Sequence, residues 1–217
     1  MPTPQEIYHL NRLDEARKAL EAHFFGATVH RTLEEAEDHL VQAIVPEGPY
    51  GSVGFGGSAT VGSSGLLAKL RAVPGLEVID RNDPALSPET RADYNRRTLL
   101  LDLFVASSNA VTLDGQLVNI DKFGNRVAAM AFGPKKVALL VGRNKIVPDI
   151  HAALDRARAT AASMNAIRLG QDTPCSKKAR CLDCRGQNRL CGVTAITQRS
   201  FPAGRIHVLL IDQDLGF

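Results

Sequence analysis

The sequence predicts an α/β fold: a mainly parallel sheet flanked by helices, with one antiparallel hairpin and a small Cys-rich insertion. Three observations carry this expectation. Short apolar runs, among them "LEVID", "LLLDLFVASS", "KKVALLVG" and "RIHVLLID", alternate with segments of helical period. These runs are apolar at consecutive positions, the pattern of strands covered on both faces. An Asp-Gly pair, Asp114 and Gly115, splits "AVTLDGQLVNID" into two alternating stretches, the strongest short-range hairpin signal. The chain has 217 residues, of which 44% are hydrophobic and 23% charged, enough to bury a core as one α/β domain over 1–217. The polar, basic stretch 170–192 interrupts the alternation and reads as an insertion carried on that domain.

Taken in order, Thr3, Pro4 and Glu6 form a capping box with proline at the first helical position, followed by Ile7, Leu10, Leu13, Ala16 and Leu20 at helical spacing. "ATVH" reads as a short strand, and Thr32 with Glu35 opens a helix running toward Val45. "GSVGFGGSATVGSSGLLAKLRAVPG" reads as strand, glycine-rich loop, helix and a Pro-Gly stop before the strand "LEVID". Ser87 and Pro88 begin a helix through Arg97, and "LLLDLFVASS" fills the middle of the sheet. After the hairpin, "NRVAAMAFG" suggests a short helix, "KKVALLVG" a buried strand and "PDIHAALDRARATAASMNA" a helix opened by Pro148. "RIHVLLID" is the closing strand.

Composition narrows the function. The start "MPTPQEIYHL" lacks the basic segment and apolar run of a secretory signal, and no stretch approaches the roughly 18 uninterrupted apolar residues of a membrane span. A cytoplasmic protein without membrane insertion is expected. The net charge of +3 and the 5% aromatic content without Trp give no footing for nucleic acid, which needs a basic face and stacking rings. The six histidines show no metal-ligand spacing and read as structural or exposed.

The glycine-rich loop "GFGGSATVGSSG" admits three readings. Its small side chains leave backbone N–H groups open and its hydroxyls add donors, which suits an anion or substrate at Gly56, Gly57, Ser58 and Thr60. It could instead be a turn that binds nothing. Gly54, Gly56 and Ala59 with Asp80 also match a dinucleotide fingerprint, but Gly62 to Gly65 keep the chain irregular where that motif is already helical; NAD is not expected. A second polar group, Ser107, Ser108 and Asn109, ends the central apolar run, and Asn119, Asp121, Asn125 and Arg126 follow the hairpin. Placed at one sheet edge, these would share a cleft in which Arg126 grips a carboxylate by a two-pronged hydrogen bond. Alternatively, Asn125 caps the next helix and Arg126 lies on its exposed face. Asp114 and Asp121 are the general-base candidates, with Asp114 also suited to the turn.

All four cysteines, Cys175, Cys181, Cys184 and Cys191, fall within "CSKKARCLDCRGQNRLC". In a reducing compartment clustered cysteines point to metal or redox chemistry before disulfides. Cys181 and Cys184 make the C-x-x-C pair that turns two sulfurs toward one ion, and the outer two complete a tetrahedral set. Zinc fits this; a four-iron cluster also takes four thiolates, although its familiar run is spaced differently. Lys177, Lys178, Arg180, Arg185 and Arg189 against Asp183 give a local charge of about +4, which favours thiolates. A redox C-x-x-C pair and four free thiols are the alternatives.

The glycine loop, the block "DLFVASSNAVTLDGQLVNIDKFGNRVAAMAFGPKKVALLVGRNKIV" and the closing "GRIHVLLIDQDLGF" together resemble the LUD-domain family, named for lactate utilisation, and more closely its stand-alone cysteine-bearing branch. The resemblance covers roughly residues 5–217. It implies a fold similar to ribose-phosphate isomerases and CoA transferases, whose ligands sit at the loops corresponding to the glycine loop and the stretch after the central strand. It also implies a connection to bacterial lactate oxidation beside iron-sulfur subunits. The expected function is therefore binding of a small carboxylate or CoA-like anion in concert with an electron-transfer protein partner. The alternative is a non-catalytic assembly or regulatory module whose cysteine knob binds a partner. Sugar-phosphate isomerisation follows from fold analogy alone. A homodimer is the expected assembly.

Overall fold

The computed structural model describes residues 1–81 and 83–217. Six strands form a wholly parallel sheet in the order β1-β10-β7-β4-β2-β3. Numbered along the chain, they are β1 (Gly26–His30), β2 (Ser52–Phe55), β3 (Glu77–Ile79), β4 (Leu103–Ala106), β7 (Lys136–Gly142) and β10 (Ile206–Ile211). The consecutive apolar residues of these strands serve two cores. Phe104, Ala106, Val137, Leu139, Val141, Val208 and Leu210 face one cluster. Leu103, Val105, Ala138, Leu140, Leu209 and Ile211 face the other. The two-residue period of a strand thus divides an unbroken apolar run between two covered faces.

Helix α1 (Pro4–Ala22) covers the first face with Leu13, Ala16 and Leu20. Its capping box is closed: Thr3 Oγ1 accepts from Glu6 N, and Glu6 Oε2 accepts from Thr3 N at 2.6 Å. Helices α2 (Leu33–His39) and α4 (Leu66–Arg71) cover the second face. At α2 the box stays half open, since Thr32 caps Glu35 N while the Glu35 carboxylate accepts from Arg31 N instead. Past His39 the helix widens into a π turn, Leu40–Ile44, and ends in a 3-10 turn at Val45–Glu47. Helix α5 (Pro88–Arg97) begins at Ser87 as the sequence predicts.

The structure differs from the sequence reading in four places. The run "LLLDLFVASS" contributes only Leu103–Ala106 to the sheet; Thr98–Leu100 forms a 3-10 turn and Leu100 is exposed. Pro148 does not open the long helix, because Asp149 is the N-cap, accepting from Ala152 N. In the glycine loop a helical turn, α3 (Ala59–Gly62), forms inside the stretch expected to be irregular, with Ser58 as its cap. Finally, the hairpin is not an excursion from the main sheet. Both edges of β4 are already taken by β2 and β7, so the strands that leave it build a sheet of their own, in the order β8-β5-β6-β9. These are β5 (Ala110–Thr112), β6 (Leu117–Asp121), β8 (Ile146–Val147) and β9 (Val193–Thr197). The hairpin turn itself stands where Asp-Gly predicts it: Gly115 has φ +85°, and a Cβ there would lie 2.6 Å from the backbone of Ala19, so this turn seats directly on α1.

Helix α6 (Asn125–Ala131) returns the chain from β6 to β7. Helix α7 (Ile150–Asp155) runs through a π turn, Arg156–Ala161, into α8 (Ala162–Arg168) and packs Ala153 and Ala157 on the second sheet. The Cys-rich segment follows. It contains one short helix, α9 (Pro174–Lys178), and is then irregular until β9 pairs with β6.

The order of the main sheet creates a switch point. From β2 the chain moves outward to β3, whereas β4 lies on the opposite side of β2 and leads on to β7. The carboxyl ends of β2 and β4 therefore flank a topological switch point, the place where open α/β sheets hold ligands.

Candidate functional site

The chain leaving β2 is the glycine loop, and the chain leaving β4 is Ser107-Ser108-Asn109. Gly56 N donates to Val105 O at 2.8 Å, tying the two ends together. Above them opens a cavity of about 230 Å³. Gly57, Ser58, Ser107, Asn109, Asn125 and Arg126 line it, so the structure brings these sequence-predicted residues into one cleft. Gly56 and Thr60 stand behind the wall. At Gly56 a Cβ would fall 2.8 Å from the Phe104 ring and 3.1 Å from Arg126 Cγ, so only glycine permits that approach. Thr60 is fully buried.

Arg126 has a different environment from either expectation. It is not on an exposed face: it is 6% exposed, and internal acceptors engage its whole guanidinium. Nε donates to Asp121 Oδ1 at 3.0 Å, Nη1 to Ser107 O and to Asn119 Oδ1, and Nη2 to Asn109 Oδ1 and Ile120 O. Asp121 completes an ion pair at 2.9 Å and also accepts from Val127 N at 2.8 Å. Asn109 Oδ1 takes a further bond from Ile120 N, while Asn119 Oδ1 takes one from Asn109 N. This network staples the end of β4, strand β6 and the start of α6 into one rigid wall. Asn125 is the first helical residue of α6, not its cap, and donates to Asn95 Oδ1 at 3.2 Å. Asp114 lies in the hairpin turn, accepting from Gln116 Nε2, outside the cavity lining. Asp80 is 3.6 Å from Arg71.

Two cationic residues of the cleft escape a reading of motifs. Arg81, just past β3, lines the cavity beside Gly57, where a Cβ would be 3.4 Å from Arg81 Nη2. Its Nη1 donates to Asn95 Oδ1 at 2.6 Å, but its Nε–H is buried without an acceptor among the described residues. Burial pulls this guanidinium below its ordinary value; Arg91 and Arg168 act in the same direction, opposed by Asp121. Lys145, in the turn after β7, is 2% exposed. Its Nζ donates to Ser107 Oγ at 2.8 Å and to Thr60 Oγ1 at 2.9 Å. Burial, then Arg156 and Arg126, push it down to about 7. Its sequence signal is a single lysine, in "GRNKIV", where a buried strand gives way to a turn.

The Cys-rich segment forms the outer wall. Leu190 and Ala162 line both the cleft and a second, smaller cavity of about 20 Å³ that all four cysteines border. Asp183 at φ +42° folds the Cys181–Cys184 turn back on itself, and Ala179 at φ +50° turns the chain out of α9. Arg189 donates to Cys184 O at 2.7 Å and to Cys191 O at 2.9 Å, drawing the ends of the loop together. As arranged, no three His, Cys, Asp or Glu side chains among the described residues are grouped to hold an ion. The thiol of Cys191 is raised by burial first and then by its three cysteine neighbours, with Arg189 opposing. The sulfurs thus share one small space whose electrostatics disfavour several bare thiolates, the condition a bound cation reverses.

The chain is thus an α/β protein with an open sheet and a polar, cation-rich cleft at its switch point. The LUD-domain family model matches residues 13–211, and the chain belongs to that family, which is implicated in lactate utilisation. The fold agrees with the solved structure of a DUF162 family protein from Deinococcus radiodurans, with a TM-score of 0.50 and 12% identity over 94% of this chain and 98% of that one. The eIF2B beta structure from Chaetomium thermophilum is similar at a TM-score of 0.33 and 17% identity, over 66% of this chain and 45% of that one. No curated protein matches the chain.

Proposed function

We propose that the cleft binds a small carboxylate, or the anionic end of a CoA-like molecule, and that the protein works with an electron-transfer partner in the oxidation of lactate or a related organic acid. The observation that carries this reading is Arg81, which lines a cavity together with Lys145 and the glycine loop and whose buried Nε–H has no acceptor among the described residues. A desolvated donor without an acceptor costs about 1–3 kcal/mol, and an entering carboxylate supplies the missing acceptor and relieves the crowding of positive charge. Arg126, its donors already satisfied, supports the wall while Arg81 receives the anion.

In this reading Cys175, Cys181, Cys184 and Cys191 hold a metal centre, an iron-sulfur cluster or zinc. Their shared cavity and the basic residues around it support this reading, while the side chains as arranged would have to converge to ligate the ion. An iron-sulfur cluster would supply one-electron transfer beside the cleft, and zinc a structural clamp. Calorimetric titration of anaerobically purified protein with L-lactate, pyruvate and acetyl-CoA, alongside metal analysis, tests the proposal. One of these ligands should bind, and Arg81→Ala should weaken it tenfold or more while the circular dichroism spectrum is unchanged. Binding unaffected by that substitution, or none at all, sinks the carboxylate reading; protein free of both iron and zinc sinks the metal reading.

The exposed apolar side chains Phe123, Leu182, Val193 and Ile196, on or next to the Cys-rich segment, favour a second reading. Here the segment docks a partner protein and the cleft acts as a sensor without turnover. Partner capture lost in Cys181→Ser, with ligand binding retained, would distinguish it.

A further inference from the structure

Lys145 is the one lysine of the cleft that is sunk into its wall, and its hydrogen bonds define its chemistry. Thr60 Oγ1 is 3.4 Å from Leu215 O, and Ser107 Oγ is 3.3 Å from Ser108 O. Each hydroxyl proton is therefore directed at a backbone carbonyl, and each hydroxyl oxygen accepts from Nζ. A neutral amine satisfies the arrangement with its two N–H groups and keeps its lone pair. An ammonium ion brings a third proton, next to Arg126 and Arg156. Both arginines are fixed by internal acceptors, Arg156 through Nε to Asn144 O at 2.9 Å and through Nη1 to Asn109 O, so neither can withdraw. The geometry, together with burial, maintains a nucleophilic amine in a cavity that also offers Arg81 and the glycine-loop amides to an anion.

We propose that Lys145 is a covalent residue of this cleft, forming a reversible imine with the carbonyl carbon of a 2-oxo acid whose carboxylate is held at Arg81. This deepens the carboxylate reading above and rests on it. In the step, the Nζ lone pair attacks the ketone carbon, and two protons move from nitrogen to the carbonyl oxygen, which departs as water. A C=N bond replaces C=O, and no oxidant or reductant is consumed. The imine makes the adjacent carbon acidic and lets the protein tell an oxidised organic acid from its 2-hydroxy counterpart, which has no carbonyl to condense. A 230 Å³ cavity lined by an arginine whose Nε–H has no acceptor among the described residues suits a compact ligand of this kind.

Sodium borohydride reduces an imine to a stable secondary amine, so the full-length protein is incubated with pyruvate and borohydride, digested and mapped by mass spectrometry. The expected result is a reduced adduct on Lys145, absent with L-lactate and absent in Lys145→Arg, whose guanidinium cannot condense. Lys145→Met, which leaves the wall packed, gives the same blank and guards against misfolding of the arginine variant. Calorimetric pyruvate binding without an adduct overturns the inference and leaves the carboxylate cleft standing. Absence of both binding and adduct overturns the two together. An adduct formed with ribose 5-phosphate and not with pyruvate overturns the 2-oxo acid class, and an adduct at any other lysine overturns the assignment to Lys145.

Discussion

Lys145 works against the stability of the fold that holds it. A lysine in an unfolded chain titrates near 10.4, whereas here burial lowers it to about 7. Between those values the unfolded state binds more protons, so this residue makes stability rise with pH from about 7 to about 10, and its full cost is felt below 7. Lys145→Met should therefore raise the urea midpoint at pH 6.5, by a stability on the order of 1–3 kcal/mol, and a lowered midpoint would count against a lysine depressed by burial. His207 acts in a more acidic window. It lies in a cluster the sequence does not reveal, with ring centroids of His30 and His39 5.0 Å apart and those of His39 and His207 5.8 Å apart. Burial, then Lys136 and His39, push His207 down to about 4. An unfolded histidine protonates near 6.5, so stability should fall as pH drops from about 6.5 to about 4, by on the order of 3 kcal/mol from this residue. His207→Gln should flatten that slope in urea melts taken across the window, and an unchanged slope would refute the assignment.

At the scale of elements, the wall built by β4, β6 and α6 depends on one guanidinium. Arg126→Lys cannot reproduce a fork that meets Asp121, Asn109, Asn119 and two carbonyls. Removing the arginine leaves Asp121 buried without its ion pair, and a loss of about 3–5 kcal/mol is expected in chemical denaturation of Arg126→Ala. The Cys-rich segment should behave oppositely: on the proposed metal reading, Cys181→Ser abolishes metal retention while the far-ultraviolet spectrum and the main sheet persist, because the segment contributes no strand to that sheet. Behind the glycine loop, Gly216 has φ +56° and a Cβ there would lie 2.5 Å from Thr60 Oγ1. Gly216→Ala should therefore displace Thr60 and slow borohydride trapping at Lys145. The cleft was partly legible from sequence for a chemical reason. Glycine and serine at the ends of apolar runs announce a loop that can approach a ligand, and those residues do converge. Arg126 was singled out as a carboxylate clamp because an arginine among polar residues looks free in a string of letters; its acceptors come from Ser107, Asn109, Asn119 and Ile120, on other elements. Arg81 lies in no motif, and Lys145 falls in the block that carries the family resemblance without standing out as a site residue, since what sets both apart is desolvation.

On the scale of the whole molecule, the parallel sheet is readable because strands covered on both faces are apolar at nearly every position, and β7 and β10, buried from end to end, place charged or polar side chains only at Lys136 and His207. The second sheet is not. Strand β8 has two residues, and β9 has an exposed, mixed pattern, so neither stands out from the surrounding loop until β5 and β6 offer it a partner. The sheet order has a further consequence. Strand β1 has its hydrogen-bonded neighbour in β10, which also pairs with β7, so residues 26–30 must wait for residues beyond position 205. During translation β1 and α1 emerge early with nowhere to dock, and pairings so distant in sequence form slowly. Ribosome-arrested nascent chains whose β10 is still inside the exit tunnel should be cut readily by protease within Gly26–His30, and those that have extruded it should resist. Until β10 arrives, the growing polypeptide keeps an apolar slot between β1 and β7 that this strand alone fills.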